Sequence, residues 1–300
     1  MFKESLFQED ESFSGLYYTF VVIFILAFSV AFSMFASSLA TSTKQSSETL
    51  YVLLSFSISP LAIISATLLF TYLRGDSIVN ICGWNKTQLK FYGIAFVAFV
   101  SVFFGLANVN TAFVEFLSKK FGYEASDISL PKYSVTNYLL VILTVCILPA
   151  VAEEVAMRGI VLRGIKCGNQ ILNALLGGAL FSLFHMTPMQ TPYQFAVGFV
   201  FSLIAIKSGS TIPTTIAHFL NNFAIVTIEY FCPTLFAVQG GWMLALTIPA
   251  TLCFVAVIVM LVSIGENKQE YKKEKLKNFC MCALGGIFIC TFMWVMAFLG

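Results

Sequence analysis

Nine runs of mostly apolar residues fill this chain, at approximately 16–40, 50–73, 89–108, 135–163, 170–187, 191–208, 211–231, 241–264 and 280–299. A helix needs about 20 such residues to cross the hydrocarbon core of a bilayer. Inside lipid the backbone must satisfy its own hydrogen bonds, so helices and closed barrels alone can span. Most of these runs are twice the length of a barrel strand. The reading is therefore all-α: a polytopic membrane helix bundle of about eight to nine transmembrane helices, one membrane domain over 1–300. The runs at 135–163 and 211–231 carry polar residues. Those at 170–187 and 191–208 are short and separated only by "MTPMQ". Charged residues make up 11% of the chain, against about 25% in soluble domains, and a net charge of +2 gives no basis for a nucleic-acid partner. The eight cysteines fall mostly in apolar runs, where small apolar fillers are the expected role.

Basic residues set orientation, because cytoplasmic loops carry the excess of Lys and Arg. With the N-terminus inside and nine spans, the inner loops hold Arg74, Lys86, Lys90, Arg163, Lys166, Lys207 and the cluster "KQEYKKEKLK" within a basic loop at 265–279. The outer loops hold Lys44, Lys119, Lys120 and Lys132. Within the connection 109–134, "FVEFLSKKFGY" reads as a short amphipathic helix on the membrane surface. The N-terminal stretch "MFKESLFQEDESFSG" reads as a polar tail that is not a cleaved signal.

Ionisable side chains inside spans are costly and mark function. Asp10, Asp76 and Asp127 fall in expected loops or tails, whereas Glu153, Glu154, Glu229, His185 and His218 fall inside runs. Runs four and five form a hairpin turning near Gly168. Glu153 lies 15 residues before that glycine and His185 17 after it. At 1.5 Å per residue both sit about 20–25 Å from the turn and share a level. His218 and Asn222, four apart on one helical face, sit about 10–17 Å in; helix tilt is needed to bring them level. Glu154 and Arg158 are also four apart, with the acid first, the favourable order for a pair. Glu153 is rotated about 100° from Glu154 and has no local partner, which suits a general base. Pro149 is expected to bend the helix and free a carbonyl.

The pattern fits no H-E-x-x-H zinc site and no G-x-S-x-G serine site, and no Asp pair falls within the spans. Two chemistries stay open. In one, Glu153 and His185 activate water while His218 and Asn222 donate to the oxyanion. In the other, Glu153, His185 and His218 hold a divalent metal such as zinc.

The motifs "EEVAMR" (Glu153, Glu154, Arg158), "FSLFH" (Phe181, His185) and "HFLNN" (His218, Asn222) occur in this order. Together they resemble the CAAX protease and bacteriocin-processing family, also called Abi, over roughly 135–230, the expected catalytic core; "KSGSTIPTTIAHFLNN" resembles its bacterial branch. The resemblance implies an intramembrane endopeptidase of a class commonly termed metalloprotease, in a bacterial plasma membrane, with lipid and a membrane-bound or hydrophobic peptide as partners. It implies Glu153 and His185 positioning water, His218 and Asn222 as oxyanion donors, and Glu154, Arg158 and Phe181 in support. A site without metal is favoured, because Asn222 is a poor zinc ligand and a good donor. The alternatives are a proton-coupled transporter using Glu and His as a relay, or a catalytically silent membrane scaffold or immunity protein.

Overall fold

The computed structural model describes residues 10–40, 47–125, 130–233, 241–265 and 273–299. Its helices are α1 Asp10–Ala40, α2 Ser47–Arg74, α3 Ile78–Cys82, α4 Leu89–Phe121, α5 Val135–Gly164, α6 Gln170–Phe184, α7 Thr191–Ser208, α8 Ile212–Phe231, α9 Gly241–Ser263 and α10 Lys273–Leu299. A single 3-10 turn, Pro188–Gln190, precedes α7, and there is no strand among the described residues. Each of the nine apolar runs is one helix; the five-residue α3 is additional. By length and composition α1, α2, α4, α5, α7, α9 and α10 are able to cross a membrane. The 15-residue α6 is shorter, and α8 lies outside that group. The chain is an all-α polytopic membrane protein.

Large apolar side chains point outward along α9 and α10. Ile248, Leu252, Val255 and Val259 on α9, and Leu284, Phe288 and Phe292 on α10, are each at least half exposed. Their spacing of three or four residues makes one continuous apolar face per helix, which suits contact with lipid. The opposite environment surrounds α5. It packs against α1, α2, α3, α6 and α8, and every residue from Val155 to Leu162 is buried.

Two expectations need correction. The segment 109–121 is not a separate surface helix: α4 runs unbroken from Leu89 to Phe121. No glycine or proline interrupts it there, a Glu115–Lys119 pair spaced i,i+4 supports its last turns, and it ends where Gly122 adopts φ +71. Nor are Asp10 and Glu11 a free polar tail. They form the first turn of α1, where acidic groups complement the helix dipole. Asp10 pairs with Arg74 and Lys166, and the buried Glu11 pairs with Lys166 at 3.0 Å and Lys275 at 3.3 Å. These contacts gather the ends of α1, α2, α5 and α10 into one basic end of the bundle. Lys44, Asp127 and residues 268–272 of the basic loop lie outside the described residues.

Candidate active site

The site is built around the middle of α5, which is not a regular helix. Two π-helical turns, Ile142–Ile147 and Val155–Val161, flank the α-helical stretch Leu148–Glu154. A π turn reaches five residues back and re-aims the side chains that follow it, a device frequent at functional sites. Pro149 adds to this. In a regular helix the Val145 carbonyl would accept from the N–H of residue 149, which proline lacks. Asn222 Nδ2 on α8 donates to that carbonyl at 3.1 Å, so the defect in α5 is what fixes an α8 side chain.

Glu154 and Arg158 form a buried ion pair at 2.8 Å, with side chains 0% and 1% exposed. Arg158 also donates to the Gly198 carbonyl at 3.3 Å and lies over the face of Phe181, 4.3 Å from the ring centroid. Gly198 can approach because it meets Gly178: a Cβ on it would sit 2.8 Å from the Gly178 Cα, the small-residue packing by which membrane helices come close. Glu154 Oε1 has a second partner, His218 Nδ1 at 3.0 Å. Glu154 therefore does more than neutralise Arg158: it sets the orientation of His218, a link that spacing within one helix does not reveal.

Glu153 points elsewhere. Its Oε2 is buried with no hydrogen-bond partner and stands 3.9 Å from both His185 Nε2 and His218 Nε2, too far for a direct bond. His185 Nδ1 lies 2.8 Å from the Phe181 carbonyl, which accepts the Nδ1 proton. A carboxylate acceptor likewise holds the proton of His218 on Nδ1. In their neutral forms both imidazoles then present the Nε2 lone pair toward Glu153. Three acceptor atoms converge with no donor among them. Phe181 serves both groups, with its face on Arg158 and its ring centroid 4.8 Å from that of His185 in a T-shaped contact. His185 caps α6 and is followed by Met186 at φ +53, a left-handed conformation costly for a side-chain-bearing residue.

Glu153, His185 and His218 line a cavity of about 510 Å³, together with Asn110, Gln190, Tyr193, Asn221 and Asn222. Its walls come from the halves of α2, α4 and α7 remote from the basic end. Tyr193 donates to Asn221 Oδ1, Asn221 Nδ2 donates to Asn222 Oδ1 at 3.3 Å, and Asn222 Nδ2 completes the chain at Val145. Tyr193 and Asn221 had no sequence signal beyond the doubled asparagine in "HFLNN". Glu229 is exposed near the far end of α8 and takes no part.

Glu153, His185 and His218 have the donor chemistry of a zinc triad, and their Nδ1 partners are of the kind that orients ligating histidines. Their spacing does not fit as it stands. Ligands about 2.0–2.1 Å from tetrahedral zinc lie roughly 3.3 Å apart, and no group of three or more His, Cys, Asp or Glu among the described residues has metal-holding geometry.

Residues 135–224, covering α5 to the middle of α8, match the family model described as type II CAAX prenyl endopeptidase Rce1-like. No curated protein and no solved structure matches the chain.

Proposed function

From the match of residues 135–224 to the type II CAAX prenyl endopeptidase Rce1-like family model, we propose that the chain is an intramembrane endopeptidase that hydrolyses a peptide bond with water activated by Glu153. One observation carries the reading: a buried carboxylate oxygen, Glu153 Oε2, without a hydrogen-bond partner and 3.9 Å from two imidazole nitrogens at the edge of a 510 Å³ cavity. Three converging acceptors select a donor, and water has two protons to give. Held by Glu153 and His185, a water keeps a lone pair for the scissile carbonyl. As it attacks, its proton passes to Glu153 and the carbonyl π electrons move to oxygen. Asn222 spends one N–H on Val145 and keeps a second for that oxyanion. His218 keeps its Nδ1 proton on Glu154 and, in this neutral form, has none on Nε2 to give, so Asn222 is the oxyanion donor. Glu153 then delivers its proton to the departing amine as the C–N bond breaks.

The excess of Lys and Arg at the end that gathers Arg74, Lys166, Lys207 and Lys275 supports a cytoplasmic position for that end, and so for the N-terminus, in a bacterial plasma membrane. The catalytic cavity then opens from the middle of the membrane toward the outer half. A hydrophobic or membrane-bound peptide, entering from lipid, is the substrate class that fits. The test is cleavage of a membrane-peptide library by purified protein in detergent, analysed by mass spectrometry, with His185→Ala as control. Cleavage by wild type alone supports the reading. No cleavage by wild type, together with proton flux in proteoliposomes, would replace it with the transporter alternative.

A further inference from the structure

A second cavity, of about 600 Å³, lies at the basic end of the bundle and belongs to no step of the proposed hydrolysis. Its floor is polar and buried: Arg158, Asn173, Ser210 and Thr211 are each at most 3% exposed. Exposed Arg163 and Asn80 stand at its mouth. The walls are tied together. Thr211 Oγ1 donates to the Cys82 carbonyl at 2.7 Å, its N–H donates to the Gly83 carbonyl at 3.0 Å, and Asn85 Nδ2 donates to the Gly209 carbonyl at 2.9 Å.

Two guanidinium groups serve this space, five residues and about 7.5 Å apart along α5. Arg158 reaches Glu154 and Gly198 through its two terminal nitrogens, while its buried Nε has no partner. Buried donors are rarely left so. Arg163 makes no hydrogen bond or ion pair among the described residues, and its Nη2 lies against Gly83, 3.0 Å from where a Cβ would be. Gly83 has φ +68, so a side chain there is disfavoured by backbone and by space alike, and the guanidinium keeps its place. The one acid among the lining residues, Asp76, faces Arg74 at 3.8 Å and accepts from Ser77 N–H at 2.9 Å and from Asn80 Nδ2 at 3.5 Å, which leaves Asn80 a second N–H. The cavity thus holds positive charge, amides and hydroxyls.

We propose that this cavity binds a phosphate group. Phosphate offers several acceptor oxygens to guanidinium, amide and hydroxyl donors at once. The same chemistry is available from free phosphate and from the headgroup of an anionic phospholipid at the membrane surface, where the basic end resides.

The experiment measures thermal unfolding of the full chain in two arms. In the first, inorganic phosphate is titrated into detergent-solubilised protein against chloride at matched ionic strength. In the second, the protein is compared in nanodiscs of phosphatidylglycerol and of phosphatidylcholine. Arg163→Gln and Asn80→Asp, both at exposed positions, are run beside wild type. The expected result is a saturable rise in wild-type Tm, roughly a few degrees at ten times the half-saturating concentration, lost in Arg163→Gln and reduced in Asn80→Asp. A rise in the first arm identifies free phosphate as a ligand, and one confined to phosphatidylglycerol identifies the headgroup. If Arg163→Gln does not fold, Asn80→Asp and the chloride control decide alone. Equal shifts in wild type and variants, or none in either arm, overturn the proposal.

Discussion

Glu153 and Glu154 are neighbours in sequence and opposites in surroundings. Glu154 faces inward, where Arg158 and His218 both reach Oε1 while its Oε2 makes no hydrogen bond. Glu153, about 100° around the helix, faces the cavity, where no cation touches it and Oε2 has no partner. Both side chains are largely enclosed, Glu154 fully and Glu153 with 14% exposed at the cavity. Burial therefore does not separate the roles; compensation does. A charge with its partners in place holds the structure, and a charge without them is available to a reactant. The cysteines form no disulfide, and Cys82, Cys146 and Cys290 are buried.

The largest effects should come from breaking the compensated side. Arg158→Leu leaves Glu154 buried and unpaired, and removing one member of such a pair costs about 3–5 kcal/mol. Thermal unfolding in detergent should show a large loss, matched by Glu154→Gln. The double variant should recover part of it, because no lone charge remains. A double variant less stable than either single one would show that Glu154 and Arg158 do not compensate one another.

On the reactive side, Asn222→Ala should lower turnover by about 10²–10³ with little change in substrate binding, since an oxyanion donor acts mainly in the transition state. It also strands the Val145 carbonyl, so a stability loss of about 1–3 kcal/mol should accompany it. Single-turnover kinetics separate the two; a collapse of binding with normal turnover would remove Asn222 from the oxyanion site.

Smaller is the effect of Tyr193→Phe. It deletes the donor that orients Asn221, and through it Asn222, a bond worth about 0.5–1.5 kcal/mol. Turnover should fall by about tenfold or less, and Tyr193→Phe combined with Asn222→Ala should be no slower than Asn222→Ala alone. Additive losses would mean that Tyr193 acts independently of Asn222.

The smallest expected effect is none. If water is activated without metal, strong chelators should leave turnover unchanged, and purified protein should contain no stoichiometric zinc. Tightly bound zinc lost in His185→Ala would move Glu153, His185 and His218 from the water-activating reading to the metal-holding one.

How much of this was legible in the sequence follows from the range of each interaction. Periodicity and run length give the nine long helices, because lipid enforces length on each segment separately. The i,i+4 spacing gives the Glu154–Arg158 pair, and residue counting from Gly168 puts Glu153 level with His185. What lay hidden crosses between helices. The His218–Glu154 bond, the capture of the Val145 carbonyl by Asn222 and the Tyr193–Asn221 link depend on helix tilt and on two π turns that no local pattern announces. Asp10 and Glu11 were misread for a similar reason: their partners, Lys166 and Lys275, are distant in the chain.

The most direct test of the division between the two carboxylates is Glu153→Gln, with unfolding temperature and peptide cleavage measured on the same purified sample. The substitution removes a general base, typically worth about 10²–10⁴ in rate, and removes a buried charge that had no partner. Cleavage should be lost while the unfolding temperature equals or exceeds that of wild type. Wild-type cleavage by Glu153→Gln, or destabilisation as severe as that of Arg158→Leu, would contradict the account.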